Sequence, residues 1–160
     1  MTDSSVTDDQ ASHVAHTMAF VLGELNLRRL IALSHGRARP GRAAFELIAP
    51  ILCRDAPKNW AQLTSLGLAP REIIDAGERA VRVFERLPRW AAEDLDQALD
   101  ALCVELDGTR RDVDAALSVL VLSSQTGLPL APVLEALGQS ECIARLHDST
   151  RAYRACQMVG

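Results

Sequence analysis

Aromatic side chains are scarce: the 160-residue chain has three Phe, two Trp and one Tyr. Ala and Leu are abundant instead, and these have the best intrinsic helix propensities, so the composition favours helices. No stretch approaches the roughly 20 apolar residues that a membrane-crossing helix needs. The first residues are acidic and polar, without the charged-then-apolar pattern of a secretory leader, so a cytoplasmic protein is expected. A basic balance is also missing. The formal net charge is −4 and the pI about 5.5, whereas phosphate neutralisation gives generic nucleic-acid binders a basic total. Any contact with nucleic acid therefore has to come from a local grouping of arginines. The four cysteines, Cys53, Cys103, Cys142 and Cys156, lie far apart and form no C-x-x-C pair. They read as free, mostly buried thiols of a reducing compartment, and no metal site is expected. There is no glycine-rich phosphate loop and no nucleophile–base pair at recognisable spacing, so neither catalysis nor a cofactor is expected.

What is present is enough apolar material for a core, 48% of the residues. Residues 1–10 are mostly Asp, Ser and Thr and read as a disordered tail. Residues 11–57 read as an N-terminal helical part, with Val14, Met18, Leu22 and Leu25 on one face of a first helix and Ser12 or Asp9 as its cap. His13 and His16 sit in the first turn of that helix and read as exposed. The segment from His35 to Arg42 carries Arg37, Arg39 and Arg42 among two glycines and a proline, which makes it the most basic loop of the chain. Such a loop is either solvated or contacts phosphate, since arginine forks suit phosphate oxygens.

Residues 58–155 read as a second helical region within one domain. Asn59 can cap a short helix with Trp60 and Leu63. Pro70 suits a first helical position and Glu72 an early turn. Ile73, Ile74, Gly77, Ala80, Val81 and Phe84 form a stripe at helical spacing. Trp60 and Trp90 read as core anchors. Leu95, Leu99, Leu102 and Leu106 mark the next helix, whose outer side carries Glu93, Asp94, Asp96 and Asp100.

The last third is the best defined. Asp107-Gly108 breaks the preceding helix, and Val113–Leu122 is apolar almost all round and is placed in the core. A turn through Gly127 leads to a helix with Leu130, Val133, Leu134 and Leu137 on one side. Gly138 stops it, as a residue free to adopt positive φ. Ser140 can cap a final helix that holds Ile143 and Leu146 and frays after Arg154.

The order of Glu105-Leu106, Leu117, Val119, Gly127, Leu130, Val133-Leu134, Leu137-Gly138 and Arg145-Leu146, without a gap, resembles the C-terminal anticodon-binding domain of bacterial-type glutamyl-tRNA synthetases. The resemblance implies an all-α cage of about seven to nine helices. It implies a free-standing, non-catalytic module that binds tRNA, with a glutamate-accepting tRNA as the natural candidate. Such a module would support a synthetase-like or tRNA-dependent biosynthetic enzyme. The residues expected to contact RNA are Arg37, Arg39 and Arg42 in the basic loop, Arg110 and Arg111 in the turn, and Ser124, Gln125 and Thr126 beyond the apolar helix. The chain departs from the family pattern where a proline falls on Ala116, an arginine on Ser118 and a Thr-Gly pair on Leu122-Ser123. Those replacements, with the acidic total, define the alternative: a helical protein-interaction or regulatory module that kept the fold and lost RNA binding.

Overall fold

The computed structural model describes residues 29–33, 48–49, 51–54 and 56–158. Among them every regular element is an α-helix, as the composition led us to expect. Six helices follow one another: α1 Trp60–Ser65, α2 Pro70–Glu85, α3 Ala92–Leu106, α4 Arg110–Leu122, α5 Leu130–Leu137 and α6 Gln139–Met158. Residues 29–33, 48–49 and 51–52 are also helical. The expected tail at 1–10 and the first-helix residues Ser12 to Leu25 lie outside the described residues.

Local chemistry explains where the helices start and stop. Pro70 opens α2, and the Glu72 carboxylate accepts the Ala69 N–H at 2.6 Å, satisfying a donor that the first turn leaves over. Thr109 caps α4: its hydroxyl oxygen accepts the Asp112 N–H at 3.2 Å. Asp107 ends α3 at φ 51° and Ser123 ends α4 at φ 72°, both in the left-handed region. Gly138 ends α5 at φ 88°, where a glycine carries no Cβ penalty.

Three local expectations need correcting. Asn59 holds the position before α1, but its side chain makes no cap bond; its backbone N–H donates to Ser123 O at 2.9 Å. Ser140 does not cap α6, because that helix begins one residue earlier and the Cys142 N–H turns back to Gly138 O at 3.1 Å. Nor does α6 fray after Arg154; it continues to Met158.

The core forms around α4. Every residue from Ala115 to Leu122 is buried, so this helix is enclosed on all sides. The neighbours α2, α3, α6 and α1 pack around it. Helices α2 and α6 make the most extensive pairing, and they run antiparallel, since Gly77 lies beside Thr150 while Phe84 O accepts from the Gln139 side chain at 2.7 Å. Leu95, Leu99, Leu102, Leu117, Leu120 and Leu134 are fully buried, each contributing roughly 1.5–3 kcal/mol on removal from water. The tryptophans anchor core contacts. The Trp90 indole N–H donates to Leu134 O at 2.8 Å and its ring meets Phe84 edge-on at 5.4 Å. Trp60 tilts against Tyr153 at 5.1 Å. The thiols divide evenly instead of lying mostly inside: Cys142 is buried and Cys103 half-buried, but Cys53 and Cys156 are exposed.

Candidate nucleic-acid interface

Arg110 and Arg111 stand at the start of α4, and Ser124, Gln125 and Thr126 follow its end. The helix between them spans 13 residues, about 20 Å at 1.5 Å per residue. The two groups therefore occupy opposite ends of the buried helix and cannot meet one nucleotide together.

The side chains of the first pair differ sharply. Arg110 is enclosed by carboxylates: its Nε donates to Asp114 at 2.8 Å, Nη1 to Asp100 at 2.6 Å and Nη2 to Asp96 at 2.6 Å. Its pKa lies above the ordinary arginine value, because the bonds to Asp96, Asp114 and Asp100 outweigh the lowering by burial. Asp114 is pushed up by burial, against the lowering from Arg110. The acidic outer side of α3 thus serves an internal cation, and a phosphate approaching Arg110 would have to displace three anions. Arg111 is exposed and makes no ion pair among the described residues.

At the far end, the loop after α4 is built on the segment around α1. The Ser123 hydroxyl donates to Ala56 O at 3.2 Å, and the Gln62 side-chain oxygen accepts the Gln125 N–H at 2.9 Å. The Thr126 hydroxyl oxygen accepts the Leu128 N–H at 3.3 Å. Gln125 remains exposed, with Ser124 and Thr126 half-buried. Gln62 is a residue that sequence reasoning does not select. It is 63 positions from its partner, and a glutamine on a short helix carries no signal of its own.

The positions where the chain departs from the family pattern are interior ones here. Ala116, Ser118, Leu122 and Ser123 are all buried. Inside the same region lies Arg145, 2% exposed. Its guanidinium donates to Ile51 O at 2.6 Å, Val121 O at 3.3 Å and Leu52 O at 3.4 Å, and its Nε to Glu141 at 2.7 Å. This arginine is a structural clamp that ties the end of α4 and the segment at 51–52 to α6.

Arg37, Arg39 and Arg42 lie outside the described residues. Among the described residues no group of His, Cys, Asp or Glu comes together as a metal site, and no helix is long and apolar enough to cross a membrane.

The described residues form an all-helical domain with one enclosed central helix, polar loops at its ends and arginines on its outer helices. The comparison with known proteins makes the class specific. The family model described as "Anticodon binding domain" matches residues 14–150, and the chain belongs to that family. It is also 32% identical over 87 residues to a glutamate–tRNA ligase of Salinispora arenicola (strain CNS-205). That alignment covers 54% of this chain and 18% of the ligase, so the chain corresponds to a small part of that relative.

Proposed function

We propose that this protein is a synthetase-like anticodon-binding module that binds tRNA, a glutamate-accepting one, in support of a partner enzyme. The observation that carries the proposal is the match to the anticodon-binding family across residues 14–150, together with its all-helical frame. Recognition is assigned to Gln125, Ser124 and Thr126 at one end of α4, to Arg111 at the other, and to the basic loop with Arg37, Arg39 and Arg42. The loop after α4 supports this assignment, because Gln62 and Asn59 bond its backbone and Ala56 accepts from the Ser123 hydroxyl, while Gln125 is exposed. A loop fixed before binding loses less entropy when it meets an RNA. Base-specific reading of single-stranded RNA suits such an exposed amide, and arginines supply phosphate contacts.

A filter-binding titration of unfractionated tRNA, then of purified glutamate and non-glutamate tRNAs, tests the proposal. Binding that falls with salt and favours the glutamate species is expected; no binding at about 50 mM salt ends it.

A second reading is favoured by one arrangement. Arg110 is neutralised internally by Asp96, Asp100 and Asp114, which leaves the turn before α4 less cationic than the sequence alone implied. On this reading the module docks a protein partner and ignores RNA. Capture of the same enzyme before and after RNase treatment, with no tRNA retained, would favour it over the first.

A further inference from the structure

Among the described residues, three hollows on the outer helices differ in charge. One of about 340 Å³ has Glu72, Asp75, Glu105, Asp107 and Asp112 in its wall against Arg79, and would repel an anion. The second, about 460 Å³, runs along the α2–α6 junction, with Arg82, His147, Arg151 and Arg154 facing Glu78 and Glu85. The third, about 350 Å³, lies on the other flank of α2, with Arg79, Arg82 and Arg86 against Glu105. Arg82 belongs to both of the last two. The two hollows therefore form one continuous band across α2.

The pairing within that band decides what it can do. Arg154 is bonded to Glu78, and Arg79 to Glu105. Arg82, Arg86 and Arg151 make no ion pair among the described residues, and all three are exposed. Five arginines thus face three glutamates, in a chain whose total charge is negative. The groove is also a fixed shape. Its lining includes Gly77 and Thr150, where the absence of a Cβ on Gly77 lets the Thr150 side chain lie against the α2 backbone. Cations held on two rigid helices lose less freedom on binding than cations on a loop. Arginine forks match the paired oxygens of a phosphodiester.

We infer that the α2–α6 groove and its continuation over Arg86 form a second RNA contact, which holds the phosphodiester backbone through Arg82 and Arg151. The proposal rests on tRNA binding by this module, and it adds a contact lined by none of the residues assigned to recognition above. The band provides orientation and salt-dependent affinity, and the loops provide sequence preference. It also explains how a chain of net negative charge binds a polyanion: Asp96, Asp100 and Asp114 are engaged with Arg110, and Glu72, Asp75, Asp107 and Asp112 lie in the separate acidic hollow, outside the band.

The test is filter binding of unfractionated tRNA between about 50 and 200 mM salt. It compares the native chain, the double variant Arg82→Gln/Arg151→Gln, and the opposite double variant Glu78→Gln/Glu85→Gln. The arginine variant is expected to bind at least about tenfold more weakly, with a salt slope lower by about 1.5, since each backbone contact contributes about 0.7–0.9. The glutamate variant is expected to bind more tightly. Thermal melting accompanies each, and Arg82 and Arg151, having no ion-pair partner among the described residues, should leave the melting point unchanged. Native binding with an unaltered affinity and slope in the arginine variant overturns the groove and leaves tRNA binding standing. Failure of the native chain to bind tRNA overturns both. Polyglutamate that is bound by the native chain and lost by the arginine variant, with tRNA binding intact, would show that the groove takes an acidic polypeptide instead, and would overturn the inference.

Discussion

A Cβ added to Gly77 would stand 2.3 Å from the hydroxyl oxygen of Thr150, closer than any atoms of that kind can approach. The absence of a side chain at this position is what lets α2 and α6 pair over their full contact. Gly77→Ala should therefore destabilise the protein by about 1–3 kcal/mol through overpacking, although in an exposed helix the same change would gain about 1 kcal/mol. Thr150 is buried and its hydroxyl has no hydrogen-bond partner among the described residues, so little is lost with it. Combining Gly77→Ala with Thr150→Ala should recover most of the loss. Denaturant unfolding of the four members of this cycle measures the coupling; additive effects would mean that the two helices are not limited by this contact.

Arg145 supports a second prediction. Its guanidinium satisfies backbone carbonyls of Ile51, Leu52 and Val121 at once. Arg145→Ala leaves those acceptors and Glu141 without their donor, and should cost roughly 3–5 kcal/mol, the range for breaking one side of a buried ionic cluster. Arg145→Lys should fall between, because a single ammonium cannot span three carbonyls as a planar fork does. Melting temperatures of both variants check the order.

Much of this architecture was legible in the sequence because it depends on neighbours along the chain. The run Val113–Leu122 is apolar almost all round, with only Asp114 and Ser118 polar, so burial was its expected placement, and Ala115–Leu122 are indeed all buried while Asp114 is half-buried against Arg110. The stripe from Ile73 to Phe84 and the stop at Gly138 follow from helical spacing and from backbone freedom in the same way. The carboxylate cage around Arg110 was only partly visible. Asp114 is one helical turn away, but Asp96 and Asp100 are on another helix, 14 and 10 residues back. Their convergence depends on how α3 packs on α4, which periodicity does not encode. The same holds for Gln62 and Gln125, and for the basic band, where Arg82 and Arg151 meet only because α2 and α6 are antiparallel.

The contrast between Arg110 and Arg111 can be separated by experiment. Arg111→Gln should weaken tRNA binding a few-fold and leave stability within about 0.5 kcal/mol, as for an exposed site without partners. Arg110→Gln should do the reverse, costing about 1–2 kcal/mol of stability, because three carboxylates lose their shared cation. The pH dependence carries a sign. Burial already holds Asp114 above the ordinary carboxylate range, and Arg110 partly offsets that. Without Arg110 the folded-state pKa of Asp114 rises further above its unfolded value. A carboxyl raised on folding destabilises when ionised, so the deficit of Arg110→Gln should shrink as pH falls through that raised pKa. Unfolding measured at neutral and mildly acidic pH reads this directly; a deficit that is constant with pH would show that Asp114 does not depend on Arg110.

The thiols give the last prediction, which tests the core without mutation. Cys142 is fully buried beneath Leu134, and burial pushes its pKa well above that of a free thiol. Cys103 is half-buried and also raised by burial, partly offset by Arg110 nearby. Cys53 and Cys156 are exposed. Because the thiolate is the reactive species, modification by a disulfide reagent at neutral pH should label Cys53 and Cys156 first, Cys103 slowly and Cys142 only on unfolding. Mass spectrometry of tryptic peptides over time resolves the order. Early labelling of Cys142 in the native protein would mean that α5 and α6 separate readily, and that the enclosed core around α4 opens on the timescale of the reaction.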